Sequence, residues 1–216
     1  MTKYLEAQNK SNTLVINGFI HSDELIRLSK SDCHWADNRT KEFQHRNIKK
    51  GEIYQFEFGK NYIPEMSYEH RGLVIGVKKR LLYVLPIFSY HPQKHTDIYH
   101  PIDFPASKSD MFLLKSNEFS FINHDSVLKL NDIRTVSIHR ILYKYAGQIA
   151  PSSNTYKQIE ALVLQKYFPD FYYRSNKIQE TMDCLQNNLS TLQTENKMLQ
   201  AEIAVLKTAI AQRSSQ

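Results

Sequence analysis

Cysteine is scarce in this chain of 216 residues: only Cys33 and Cys184 occur, in segments of very different character. That scarcity is what a reduced, cytoplasmic protein is expected to show. No apolar run approaches the roughly 18 residues that a membrane-spanning helix needs. The opening MTKYLEAQNK has no apolar core behind its lysine, so a signal peptide is not expected either. His91, His95 and His100 share one proline-broken stretch, but their spacing matches no common zinc signature and no cysteine lies near them, so neither a metal site nor a cofactor is expected. Acidic side chains are also in short supply, 22 against 28 basic ones, for a net charge of +6. From Lys177 onward four basic and four acidic residues cancel, which leaves the whole surplus in the first 176 residues. The clusters Lys41, His45, Arg46, Lys49, Lys50 and Lys78, Lys79, Arg80 read either as solvated surface or as a footprint for a polyanion such as nucleic acid.

Three segments separate along the chain. Residues 1–46 carry a helical pattern opening at Ser22, with Leu25, Ile26, Leu28 and Trp35 at roughly helical spacing. Residues 47–172 are rich in Val, Ile, Tyr and Phe with turn residues between the runs, and read as strands at 49–58, 70–76, 81–89 and 124–136. Within this block, residues 91–110 hold three prolines and no apolar period, and read as loop. A helix over 153–167, with Ile159, Leu162, Val163 and Tyr167 on one face, is expected to close the block at Pro169.

Residues 173–216 read as a dimeric coiled coil. Leu185, Leu192, Leu199 and Leu206 recur every seven residues, and Met182, Leu189, Asn196, Ile203 and Ile210 recur in the offset register, with Ile178 ahead of them. Leucine at d, mostly apolar residues at a and a lone Asn196 at a favour two parallel strands. Asn196 would bond its own counterpart across a two-fold axis and so fix register. The alternative is a single amphipathic helix lying on the domain. A DNA-reading basic zipper is disfavoured, because DFYYRSNK ahead of the seam carries only two positive charges.

The middle block resembles the MazF/PemK family of toxin endoribonucleases over residues 49–168. The resemblance runs through Lys50-Gly51-Glu52-Ile53-Tyr54, Arg71-Gly72-Leu73-Val74-Ile75 and Ile87-Phe88-Ser89. It is tightest at Asp125-Ser126-Val127-Leu128-Lys129-Leu130-Asn131-Asp132-Ile133-Arg134-Thr135, followed by Arg140-Ile141. It implies a mainly β fold, a small SH3-like barrel of the MazF/CcdB type, here with an N-terminal helical extension and a C-terminal parallel coil. It also implies metal-independent, sequence-selective cleavage of single-stranded RNA, a homodimer and a cognate antitoxin protein. Arg71 falls on the family's catalytic arginine and Ser89 on its catalytic hydroxyl. An arginine suits this chemistry because its planar fork stays charged and matches a phosphoryl group.

By the same analogy Glu65, Lys78, Lys79, Asn131 and Asp132 are the RNA-binding candidates, and strand alternation would set His91 beside Ser89 as a proton-transfer group. Without the resemblance, Arg71 reads equally as a surface arginine paired with Glu65 or Glu69, and Asn131, Asp132 and Arg134 as a turn with an internal salt bridge. Leu185, Leu192, Asn196, Leu199, Ile203 and Leu206 are the expected dimer contacts. This sequence departs from the family at Gly72, where proline usually follows the arginine, and in the long 91–110 loop. The same motifs also fit a catalytically inactive RNA- or protein-binding module.

Overall fold

The computed structural model describes residues 1–40, 42 and 47–213, so Lys41, His45 and Arg46 of the first basic cluster lie outside the described residues. The architecture is mixed α and β rather than mainly β: a seven-stranded antiparallel sheet with four helices. More of the chain is helical than the strand-rich middle suggests. The chain divides into two compact units, Met1–Val163 and Leu164–Gln216.

The first unit opens with α1 (Thr2–Ile16) and α2 (Ser22–Thr40). The sheet follows, with β1 (Glu52–Glu57), β2 (Glu69–Lys78), β3 (Leu81–Ser89), β4 (Met111–Leu114), β5 (Ser126–Lys129), β6 (Arg134–Ser137) and β7 (Ile141–Gln148). Its strands run in the order β4-β5-β3-β2-β1-β7, an open path, and β6 joins it by pairing with β3. Helix α3 (Asn154–Tyr167) packs Tyr156, Ile159 and Val163 into a core with Leu73, Leu85, Leu128 and Leu130. The Ser153 hydroxyl caps this helix, accepting from the Tyr156 amide at 3.2 Å.

The expected single strand over 124–136 is broken in two. Ile87 pairs with Leu128, whereas Val84 pairs with Arg134. Three residues along β3 therefore correspond to six on the facing segment, and the excess is a turn at Leu130–Ile133. Buried Asp132 sits in that turn and accepts from Arg134 Nε at 2.8 Å and from the Met66 amide at 2.7 Å. The paired strands resume because the turn's polar groups are satisfied internally.

Pro86 occupies the stretch of β3 between its two neighbours, after the residues that pair with β6 and before those that pair with β5. A proline lacks the ladder donor, and this is the position where none is required on that edge. Opposite it on β2 is Gly72. A Cβ at Gly72 would come within 2.4 Å of Val84 Cγ1 and 2.9 Å of Phe56 Cδ2. Two buried side chains, Val84 and Phe56, thus fill the space beside Gly72. Gly72→Ala is expected to destabilise the fold by about 1–3 kcal/mol through overpacking. A urea midpoint equal to the parent's would contradict that.

Helix α4 (Pro169–Arg213) makes up most of the second unit. Pro169 ends one helix and opens the next, since its fixed φ suits a first helical turn. At about 1.5 Å per residue, 45 residues span roughly 67 Å. Leu185, Leu192, Leu199, Ile203 and Leu206 are all exposed along it, and Asn196 accepts a bond from Gln200 Nε2 at 2.8 Å. No described helix is long and apolar enough to cross a membrane.

Candidate active site

Strand register builds the site. Tyr143 on β7, Gln55 on β1, Arg71 on β2, Ile87 on β3 and Leu128 on β5 are successive cross-strand partners, so their side chains share one face. The row is exposed at Tyr143 and sinks into the core at Ile87 and Leu128, with Arg71 at the rim. Ser89 and Ser126, themselves partners, continue the row toward the strand ends. A cleft of about 360 Å³ lies there, walled by Gln55, Arg71, Ser89, Phe121, His124 and Tyr145.

Arg71 and Ser89 are brought together as the motif order implies, but through a residue that sequence reading passed over. Arg71 Nη2 donates to Ser126 Oγ at 3.0 Å and lies 3.3 Å from His124 Nε2. Ser89 Oγ lies 3.0 Å from the same ring nitrogen. A guanidinium has only donors, so Nε2 is the acceptor, and Ser89 must be the second donor to it. In the tautomer with its proton on Nδ1, the His124 ring directs its Nε2 lone pair between Arg71 and Ser89. Ser126 is satisfied on both sides, accepting from Arg71 and donating to the His124 carbonyl at 3.0 Å. Asp125 braces the same loop by accepting from the Ser116 amide and hydroxyl, both at 2.8 Å, which holds its carboxyl below the usual carboxylate range.

Among the described residues no carboxylate forms an ion pair with Arg71. Glu65 is bound to Arg134 Nη2 at 3.1 Å, and Glu69 lies 3.3 Å from His34. The Tyr145 ring sits 5.9 Å from the Arg71 guanidinium, a cation–π contact. Burial, then the Tyr143 hydroxyl, pushes the Tyr145 phenol up to about 12, so it remains protonated. Burial, then the charges of Arg27 and Arg71, lowers the neighbouring His70, which favours its neutral form.

The remaining candidates are scattered. His91 lies in the turn after β3, its amide donating to His95 Nδ1 at 2.9 Å, and it does not line the Arg71 cleft. Alternation fails there because the strand stops at Ser89. His100 is buried and held at both ring nitrogens, by Asp103 at 3.2 Å and Glu118 at 3.1 Å, so the three loop histidines are not a cluster. Lys78 and Lys79 are exposed at the far end of the β2–β3 pair, seven or more residues from Arg71, roughly 20 Å or more at about 3.3 Å per residue. Glu65 Oε2 and Asp132 Oδ1 both pair with Arg134, the internal salt bridge of the alternative reading, while Asp132 Oδ2 accepts from the Met66 amide. Asn131 is exposed and donates to Asp110 at 3.2 Å, lining a neighbouring hollow with Lys129, Met66 and Phe88.

His124, Ser126, Tyr145 and Gln55 were missed. His124 stands two residues before Ser126, ahead of β5, where strand alternation no longer governs which way a side chain points. Tyr145 and Gln55 required the β1–β7 pairing, for which no local signal exists. Compared with protein-family models and with curated proteins, the chain matches none of them significantly.

Proposed function

We propose that the first unit is a small SH3-like barrel of the MazF/CcdB type and that it cleaves single-stranded RNA at the Arg71 cleft without a metal. The observation that carries this reading is the Arg71–His124–Ser89 contact set, a fixed cation and a neutral base with no carboxylate between them. Arg71 binds the scissile phosphate and stabilises the charge that gathers on its oxygens. The ribose 2′-oxygen attacks the adjacent phosphorus while His124 Nε2 takes its proton. The bond from phosphorus to the 5′-oxygen breaks, and that oxygen acquires a proton from water. Ser89 orients the phosphate. The products are a 2′,3′-cyclic phosphate and a 5′-hydroxyl, and DNA, which lacks the nucleophile, is not cut. Tyr145 and Phe121 offer faces on which unpaired bases can stack, and Asn131 in the next hollow is a candidate base contact.

The family resemblance adds a cytoplasmic setting and a cognate antitoxin whose extended segment would occupy the same cleft. The exposed leucine seam of α4 supports a parallel homodimer. Sedimentation equilibrium at micromolar concentration is expected to return twice the chain mass, and Leu192→Asp with Leu199→Asp to lower it. A parent that stays monomeric throughout would sink the coil.

The deciding experiment incubates a long mixed-sequence RNA with the full chain in excess EDTA, with folding checked by circular dichroism. Discrete cuts bearing cyclic phosphate ends are expected. A folded protein that binds RNA but leaves it whole would favour the inactive binding module instead.

A further inference from the structure

Helix α2 is attached to the sheet in an unusual way. Its one buried residue is a serine, Ser31, while Ile26 and Trp35 of the expected apolar stripe are exposed. Most amphipathic helices are held by an apolar face; here Leu25 and Leu28 are half-buried, and polar groups add the remaining contacts. Ser31 Oγ donates to Glu57 Oε1 at 2.9 Å, Lys60 reaches Asp32 at 2.8 Å, and His34 lies against Glu57 and Glu69.

The His34 contact set is the anomaly. Glu57 and Glu69 are direct cross-strand partners on β1 and β2, a like-charge pairing that destabilises a sheet unless a cation compensates it. Glu57 is 4% exposed, and its Oε1 accepts from the Ser31 hydroxyl at 2.9 Å and the Gly59 amide at 2.7 Å. Its other oxygen, Oε2, lies 3.5 Å from His34 Nδ1, and Glu69 Oε1 lies 3.3 Å from the same nitrogen. A charge-assisted N–H to carboxylate bond sits at about 2.7–2.9 Å, and one N–H shared between two acceptors makes two longer, weaker bonds. Around zinc, however, nitrogen and oxygen ligands at about 2.0–2.1 Å in tetrahedral array stand about 3.4 Å from each other. The two measured separations are edges of that size, and one ligand atom from each of the three residues falls within 4.8 Å of the others.

We infer that His34, Glu57 and Glu69 bind a zinc ion that clasps α2 to the β1–β2 ladder. The ion neutralises the facing carboxylates. His34 and Glu57 also line a hollow of about 600 Å³, from which water can supply the fourth ligand. The clasp is independent of the cleavage reading, and its readouts are binding and melting rather than turnover.

The test uses the full chain, stripped with chelator and dialysed, in a His91→Ala/His95→Ala background that removes the loop pair. Calorimetric titration with zinc sulfate is expected to give one site per chain that is weakened at least tenfold by His34→Gln and by Glu69→Gln. Zinc at a hundredfold excess over Kd should raise Tm by roughly 5–10 °C in the background protein and not in either variant. Cobalt in place of zinc should show tetrahedral visible bands that both variants lose. Glu69→Gln keeps the side-chain shape at a half-buried position, so it separates lost ligation from lost folding. Identical isotherms and melting temperatures with and without His34 and Glu69 would overturn the clasp and leave a plain ion-pair cluster.

Discussion

Replacing Arg71 with alanine is expected to slow RNA cleavage by about 10²–10³-fold, the loss seen when one preorganised donor to a developing oxyanion is removed. The fold should survive. Arg71 is only partly buried, its partners are neutral, and Ser126 keeps its bond to the His124 carbonyl. The effect should fall on the chemical step rather than on affinity alone, because the phosphoryl oxygens carry more charge in the transition state than in the bound substrate. Arg71→Lys should recover little, since a point charge cannot reproduce a planar fork already tied to Ser126 and His124. Single-turnover rates beside melting temperatures separate the two effects. A well-folded Arg71→Ala protein that cleaves at the parent's rate would remove Arg71 from the mechanism.

His124→Ala should cost about 10²–10⁴-fold, the range for general acid–base catalysis by a positioned side chain. Its signature is in the pH dependence. The parent should lose activity on acidification, because a protonated Nε2 can no longer accept the 2′-hydroxyl proton and stands as a second donor facing Arg71. The variant's residual rate should lack that acid limb. His91→Ala is the internal control: its ring is paired with His95 outside the cleft, so it should keep both the parent's rate and its profile. A His124→Ala profile that still shows the parent's acid limb would assign that limb to another group.

Patterns confined to one stretch of chain were readable before the fold was known. The apolar runs of β2 and β3, the helix closing at Tyr167 and the seven-residue leucine repeat are all local, and each corresponds to an observed element. What the sequence hid depends on partners far away. Helix α1 buries no residue, so no apolar face marks it. Strand β7 is exposed at half of its positions, and its apolar signal is diluted by Lys144, Gly147 and Gln148. Arg71 and Ser89 were found by the order of short motifs. His124 was not, because it precedes its strand and makes its contacts 53 and 35 residues away. The same reasoning misled at His91, where a strand was extended past its last paired residue. The zinc clasp was invisible for a similar reason, since its ligands span two strands and a helix.

Among the described residues the guanidinium of Arg71 bonds to Ser126 and His124 and forms no ion pair with a carboxylate. A fixed cation held this way has its balancing charge supplied by mobile solute, so the resting site is in exchange with whatever anions the solution contains. Choice of buffer then becomes part of the protein's behaviour: phosphate or sulfate would sit where a nucleotide's phosphate sits, while chloride or a zwitterion would leave the groove open. On the proposed reading, RNA entering the groove would release those ions, and their return to bulk water would contribute to the binding free energy.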